Sequence, residues 1–170
     1  MSEFSTGFLV LKDHEQLLST CLNEMEIDDS IGFVYPVNEK WVGLLLADEW
    51  LMEPKTVNMV AEISRQMPLL YFFCAEDHVW GFRVYNLGDC VLSGVIPLDP
   101  EVGELELAGT PSAFGLFGFD EDKVNRLNDF LSSETGLTDE DGLAVFKELL
   151  ESVEFGWMSY SYLIDEGAND

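Results

Sequence analysis

Two pairs of β-type runs are each joined by a turn of only a few residues, and this limits the fold more than any other feature. Ile31 to Val37 and Trp41 to Ala47 flank Asn38-Glu39-Lys40, while Leu69 to Cys74 and Val79 to Tyr85 flank Ala75-Glu76-Asp77-His78. Parallel pairing needs a crossover of roughly a dozen residues or more, so both pairs are read as antiparallel hairpins. The turn Asn86-Leu87-Gly88-Asp89 leads into a third run, Cys90 to Ile96, and extends the second hairpin into a meander. Phe4 to Leu11 is a further short β-favouring run.

Helical spacing fills the intervals. After Asp13, a good N-cap, Leu17, Leu18, Cys21, Leu22 and Met25 recur with helical period, and Asp28-Asp29-Ser30 breaks the pattern. Pro54 suits a first helical turn; Met59, Val60, Ile63 and Met67 then form an apolar face, Glu62 and Arg65 a polar one, and Pro68 stops the helix. The order strand, helix, hairpin, helix, meander predicts an α+β fold with a mostly antiparallel sheet and its helices packed on one face. The stretch Val34 to Gly43 also echoes Phe73 to Phe82, each following a helix. A repeated helix-plus-hairpin unit would place both helices on the same side of one sheet.

From Leu98 to Gly118 the texture turns to Gly, Pro and acids, which reads as a long connection holding a short strand. Asp120 is placed to cap a helix with Val124, Leu127, Phe130 and Leu131 on one face. Thr138-Asp139-Glu140-Asp141 resembles a capping box for another, with Leu143, Phe146, Leu149, Leu150 and Val153 inward. Two amphipathic helices therefore precede a last alternating run, Phe155 to Ile164, read as a strand. Residues 1–164 are read as a single acidic domain and 165–170 as a frayed acidic tail.

The chain of 170 residues is long enough to bury roughly two-thirds of the surface its unfolded form exposes, without staples. Its 47% apolar content is ordinary, so the charge, 33 Asp and Glu against 8 Lys and Arg for a net −25, decorates a real core. A field of that sign repels nucleic-acid phosphates and anionic lipid headgroups and steers basic proteins inward. The expected partner is a basic protein, with no nucleic acid and no membrane. Cys21, Cys74 and Cys90 are widely spaced and read as reduced thiols, and Glu3 stands where a signal peptide would be basic. These features point to the cytoplasm.

Nucleophilic catalysis needs a Ser, Cys or Thr beside a base, yet the histidines are only His14 and His78, and His14 lies two helical turns from Cys21. Paired Cys or His spacing for zinc is absent, and Asp120-Glu121-Asp122 and Asp139 to Gly142 do not fit a calcium loop. Both acidic clusters instead sit at predicted helix starts, where carboxylates cap amides and complement the macrodipole. Gly115-Leu116-Phe117-Gly118 lacks the Lys-Ser/Thr of a phosphate loop. No catalytic residue, metal site or cofactor is assigned. Arg83, a lone cation between Gln66 and Asp122, is expected to form an ion pair, with Glu76 or Asp89 as partner, or to receive a ligand carboxylate.

The segment Asp77 to Tyr85, with Gly88 following, combines an acidic turn, an aromatic-rich strand and a Tyr-x-x-Gly ending; Trp157 to Tyr162 closes the chain after an amphipathic helix. In these features the chain resembles a loose group of small, acidic, mostly uncharacterised bacterial proteins, some of them regarded as immunity proteins of toxin systems. The resemblance implies a cytoplasmic stand-alone domain that occludes a basic toxin. The expected function is accordingly a non-catalytic protein-binding module of immunity or inhibitor type, with Asp48, Glu49, Trp50, Glu76, Asp77 and Trp80 as partner-binding residues. The alternatives are a small enzyme or ligand-binding domain with a carboxylate-lined pocket, and a homo-oligomer joined through sheet edges.

Overall fold

A computed structural model describes residues 4–75, 78–98, 101, 103–138, 141–154, 159–161 and 163. Its centre is a seven-stranded sheet in the order β2-β3-β1-β4-β5-β6-β7, antiparallel throughout. The strands are β1 (Phe4–Leu11), β2 (Gly32–Pro36), β3 (Trp41–Leu46), β4 (Leu69–Ala75), β5 (Val79–Asn86), β6 (Asp89–Pro97) and β7 (Glu106–Gly109). The two short turns do force hairpins, β2–β3 and β4–β5, and β1 joins them by pairing with β3 on one side and β4 on the other. The fold is α+β with an antiparallel sheet, as the order of runs predicts.

Both sides of the central strands are covered, which is why they read as continuous apolar runs rather than alternating ones. Every residue of β3 is buried. On one face, α1 (Glu15–Glu24) and α2 (Pro54–Ser64) set Leu18, Leu22, Val60 and Ile63 against Phe8, Val10, Leu44 and Tyr71. On the other, a 3-10 helix at Pro111–Phe117, α3 (Glu121–Leu131), α4 (Glu134–Thr138) and α5 (Gly142–Leu149) pack over Leu9, Trp41, Leu45, Phe72, Trp80 and Phe82. Phe146 of α5 is the hub of that layer, with the rings of Trp80 and Phe82 each 5.0 Å from it and Phe130 stacked at 6.1 Å. Each such pair adds about 1 kcal/mol to what burial alone supplies. Trp41 and Trp80, equivalent in the two echoed hairpins, both lie in this layer, and α1 and α2 share the opposite one.

The C-terminal region departs from expectation in three ways. Asp120 caps α3, its carboxylate accepting the amide of Lys123 at 2.8 Å, but among the described residues a short extra helix, α4, stands between it and α5. Ser133 explains the extra one: its backbone carbonyl and hydroxyl accept the amides of Leu137 and Gly136, so a short turn forms before α5 starts. Val153, expected inward, is 58% exposed because α5 ends at Leu149 and Glu151 takes a positive φ of 58° that turns the chain away. Within the expected strand at 155–164, residues 155–158, 162 and 164 lie outside the described residues, and Tyr160, Ser161 and Leu163 are helical. That turn lets the Tyr160 hydroxyl donate to the Asp29 carbonyl oxygen at 2.7 Å while its ring meets Phe33, contacts a strand in this place would not make. The tail at 165–170 lies outside the described residues. Among the described residues, no helix is long and apolar enough to cross a membrane.

Candidate functional site: an acid-rimmed groove beside α2

The loop after α1 is built by local hydrogen bonding. Met25 and Ile27 donate to the carbonyl oxygens of Cys21 and Leu22, with Glu26 at φ 58° between them, which turns the chain back over the helix end. Asp28 then accepts the amide and hydroxyl of Ser30, bonds that hold its carboxyl below the usual carboxylate range. The loop before α2 is built in the same way. Asp48 accepts the amides of Met52 at 3.0 Å and Glu53 at 2.9 Å, with the Thr56 side chain beside it. Burial alone would raise this carboxyl, but those bonds outweigh it and hold it low.

Between the two loops lie adjoining cavities of about 410 and 160 Å³ that share Ile31, Lys55 and Met59. Their floor is apolar, from Met25, Ile27, Ile31, Leu46 and Met59. The rim carries four carboxylates: Glu26 and Glu62 at the larger cavity, Asp48 and Glu53 at the smaller. Among the described residues Lys55 is the single cation lining them. An apolar floor inside a ring of carboxylates accepts an apolar side chain flanked by basic ones.

The expected binding residues divide. Asp48 lines the groove. Glu49 is half-buried beside it and committed to the fold, its carboxylate accepting the Ser161 amide at 2.6 Å and its carbonyl the Tyr71 hydroxyl at 2.7 Å. Trp50 is 39% exposed and meets Phe73 edge-on at 6.1 Å. Glu76 and Asp77 lie outside the described residues. Trp80 is fully buried against Phe146, so its indole belongs to the core and not to any surface a partner could touch. Sequence reasoning missed Glu26, Glu53, Glu62, Ile31 and Met59 as one set, because they come from the loop after α1, the loop before α2 and α2 itself, which the positive-φ turn at Glu26 and the Asp48 hydrogen bonds to loop amides bring together.

Acid–base catalysis by carboxylates needs one whose pKa is raised toward neutrality. Asp28, Asp48 and Glu154, the described carboxyls that shift, are all lowered. Among the described residues no group of three His, Cys, Asp or Glu converges as a metal site would. A further cavity of about 400 Å³ at the β2–β3 turn is a structural joint: Asn38 bridges to the Glu151 carbonyl and the Glu154 carboxylate, each at 2.8 Å. Comparison with protein-family models, curated proteins and solved structures finds no match.

Proposed function

We propose that the protein is a non-catalytic binding module, of immunity or inhibitor type, that takes a segment of a basic protein into the groove beside α2. The observation that carries this reading is the pairing of an apolar floor at Ile27, Ile31 and Met59 with rim carboxylates at Glu26, Asp48, Glu53 and Glu62. The net charge of −25 supplies steering, and the floor supplies the desolvated contact that turns encounter into affinity. The rim carboxylates favour Lys and Arg beside the inserted side chain and reject an acidic competitor.

The test begins with capture from the native host's lysate at low and at physiological salt, identification of the retained protein, and titration of the purified pair. Glu26→Lys with Glu62→Lys is expected to weaken binding about tenfold or more, and Met59→Asp to remove it. A partner indifferent to all three changes, or no specific partner at either salt, would overturn the reading.

A further inference from the structure

The helices α1 and α2 do not cover their whole face of the sheet. Their core reaches β5 only at Tyr85. Beyond it the ladder register lays out the rest of that face in rows: Tyr71, Arg83, Ser93 and Ala108 across β4 to β7, then Phe73, Gly81, Val95 and Glu106. Directly opposed residues share a face in an antiparallel sheet, so Arg83 and Ser93 stand side by side there. A water-facing half-sheet normally alternates to polar residues. This one presents a half-buried Phe73 over Gly81, half-buried Val95, and Trp50 edge-on to Phe73.

Arg83 is the unusual member. Its guanidinium lies 5.7 Å from the Tyr71 ring centroid, with the Tyr85 side chain beside it. The other groups acting on its charge are the Tyr71 phenol and the Cys90 thiol. In a chain with 33 carboxylates against 8 Lys and Arg, no carboxylate among the described residues pairs with this half-buried cation. The expected pairing with Asp89 is not formed, and Glu76 lies outside the described residues. Among the described residues the Ser93 hydroxyl makes no hydrogen bond either, so both side chains keep donors for an anion.

We propose that this open half-face binds a monocarboxylate carried on an aromatic body. Arg83 takes the carboxylate through its planar fork, Ser93 adds a hydroxyl donor, and Phe73, Val95 and Trp50 receive the ring. Glu106, exposed on the neighbouring strand, and the overall negative field select against a second acidic group on the ligand. The site is separate from the groove beside α2 and does not depend on that reading.

The test uses the whole chain, with 2-naphthoate and N-acetylphenylalanine as probes and 2-naphthamide as the neutral control, followed by titration of backbone and arginine side-chain NMR signals. A carboxylate is expected to shift Arg83, Ser93 and Val95 saturably without moving Ile31 or Met59, and the amide to bind at least about tenfold more weakly. Arg83→Gln should remove that tenfold preference, and Arg83→Lys should restore only part of it, because a point charge lacks the fork. Tighter binding of 2-naphthoate supports a small aryl acid as the ligand, and tighter binding of N-acetylphenylalanine supports a peptide C-terminus. Equal binding of acid and amide, which needs no variant to observe, or shifts confined to the groove, would overturn the proposal.

Discussion

The indole nitrogen of Trp41, in the second hairpin strand, donates to the carbonyl oxygen of Leu150 at 2.8 Å, a fully buried bond that ties the sheet to the end of α5. Trp80 sits in the same layer, equally buried, and among the described residues its indole nitrogen has no hydrogen-bond partner. Replacing either by Phe removes similar volume, but only Trp41→Phe strands a buried carbonyl. Trp41→Phe is therefore expected to cost about 2–4 kcal/mol and to exceed Trp80→Phe by about 1 kcal/mol or more, read as urea midpoints at unchanged slope. Equal losses would show that the bond contributes nothing net.

Gly81 is required by packing and not by backbone conformation. A Cβ there would stand 2.4 Å from the Phe73 ring and 2.5 Å from the Gly94 carbonyl oxygen, and the carbonyl cannot move without breaking the ladder. Gly81→Ala is expected to destabilise by about 1–3 kcal/mol. Combining it with Phe73→Leu should recover only part of this, since the clash with the carbonyl remains.

Asp48 sets a pH dependence with a definite sign. Its folded-state carboxyl lies below the ordinary 3.8, so its contribution is fully present above the unfolded value and is lost as pH falls through the folded one. Asp48→Asn should cost about 1–2 kcal/mol near neutrality, as weakening of charge-assisted hydrogen bonds to loop amides does. The gap between the two proteins should narrow in denaturation curves recorded below about pH 4.

The cysteines should separate by access. Cys21 and Cys74 are buried and Cys90 is exposed, with its thiol pushed up mainly by desolvation against the lowering effect of Arg83. Iodoacetamide on the native protein should label Cys90 first and more slowly than a free thiol, with the other two reacting only on unfolding. Mass spectrometry of peptides counts the adducts. Early labelling of Cys74 would contradict its position in the core.

If the groove receives a basic segment, the association rate should fall steeply with added salt while dissociation changes little, because steering acts on encounter. Stopped-flow association at several ionic strengths measures this directly. A rate insensitive to salt would remove the role given to the acidic surface.

Much of the architecture was legible because it rests on chain-local physics. Turns of three and four residues dictate β2–β3 and β4–β5, Pro54 and Pro68 bracket the second helix, and Asp120 marks the start of α3. The segment Glu134–Thr138 was harder to read, since a five-residue helix buries too little to impose a period. Alternation of aromatics at 155–164 fits a strand by pattern, but Tyr160 is held by Asp29, a partner 131 residues away. The candidate site followed the same division. Asp48 stands out as an acid between a strand and a Pro-started helix, whereas Trp80 gave no sign of which sheet face would be covered, and its burial follows from helices that come more than 30 residues later in the chain.

The strand order has a consequence for how the protein is made. With β1 already present, the β2–β3 hairpin adds to one of its edges, β4 to the other, and β5, β6 and β7 each lie against the strand synthesised just before. Sheet growth can thus keep pace with the ribosome. The face bearing Trp41, Phe72, Trp80 and Phe82 has no such luck: its cover starts at Pro111, so every nascent chain carries a bare aromatic surface until α5 emerges. A fragment ending near Thr110 is expected to aggregate and to need chaperones, since the helices that cover the aromatic face all lie in the last third of the chain.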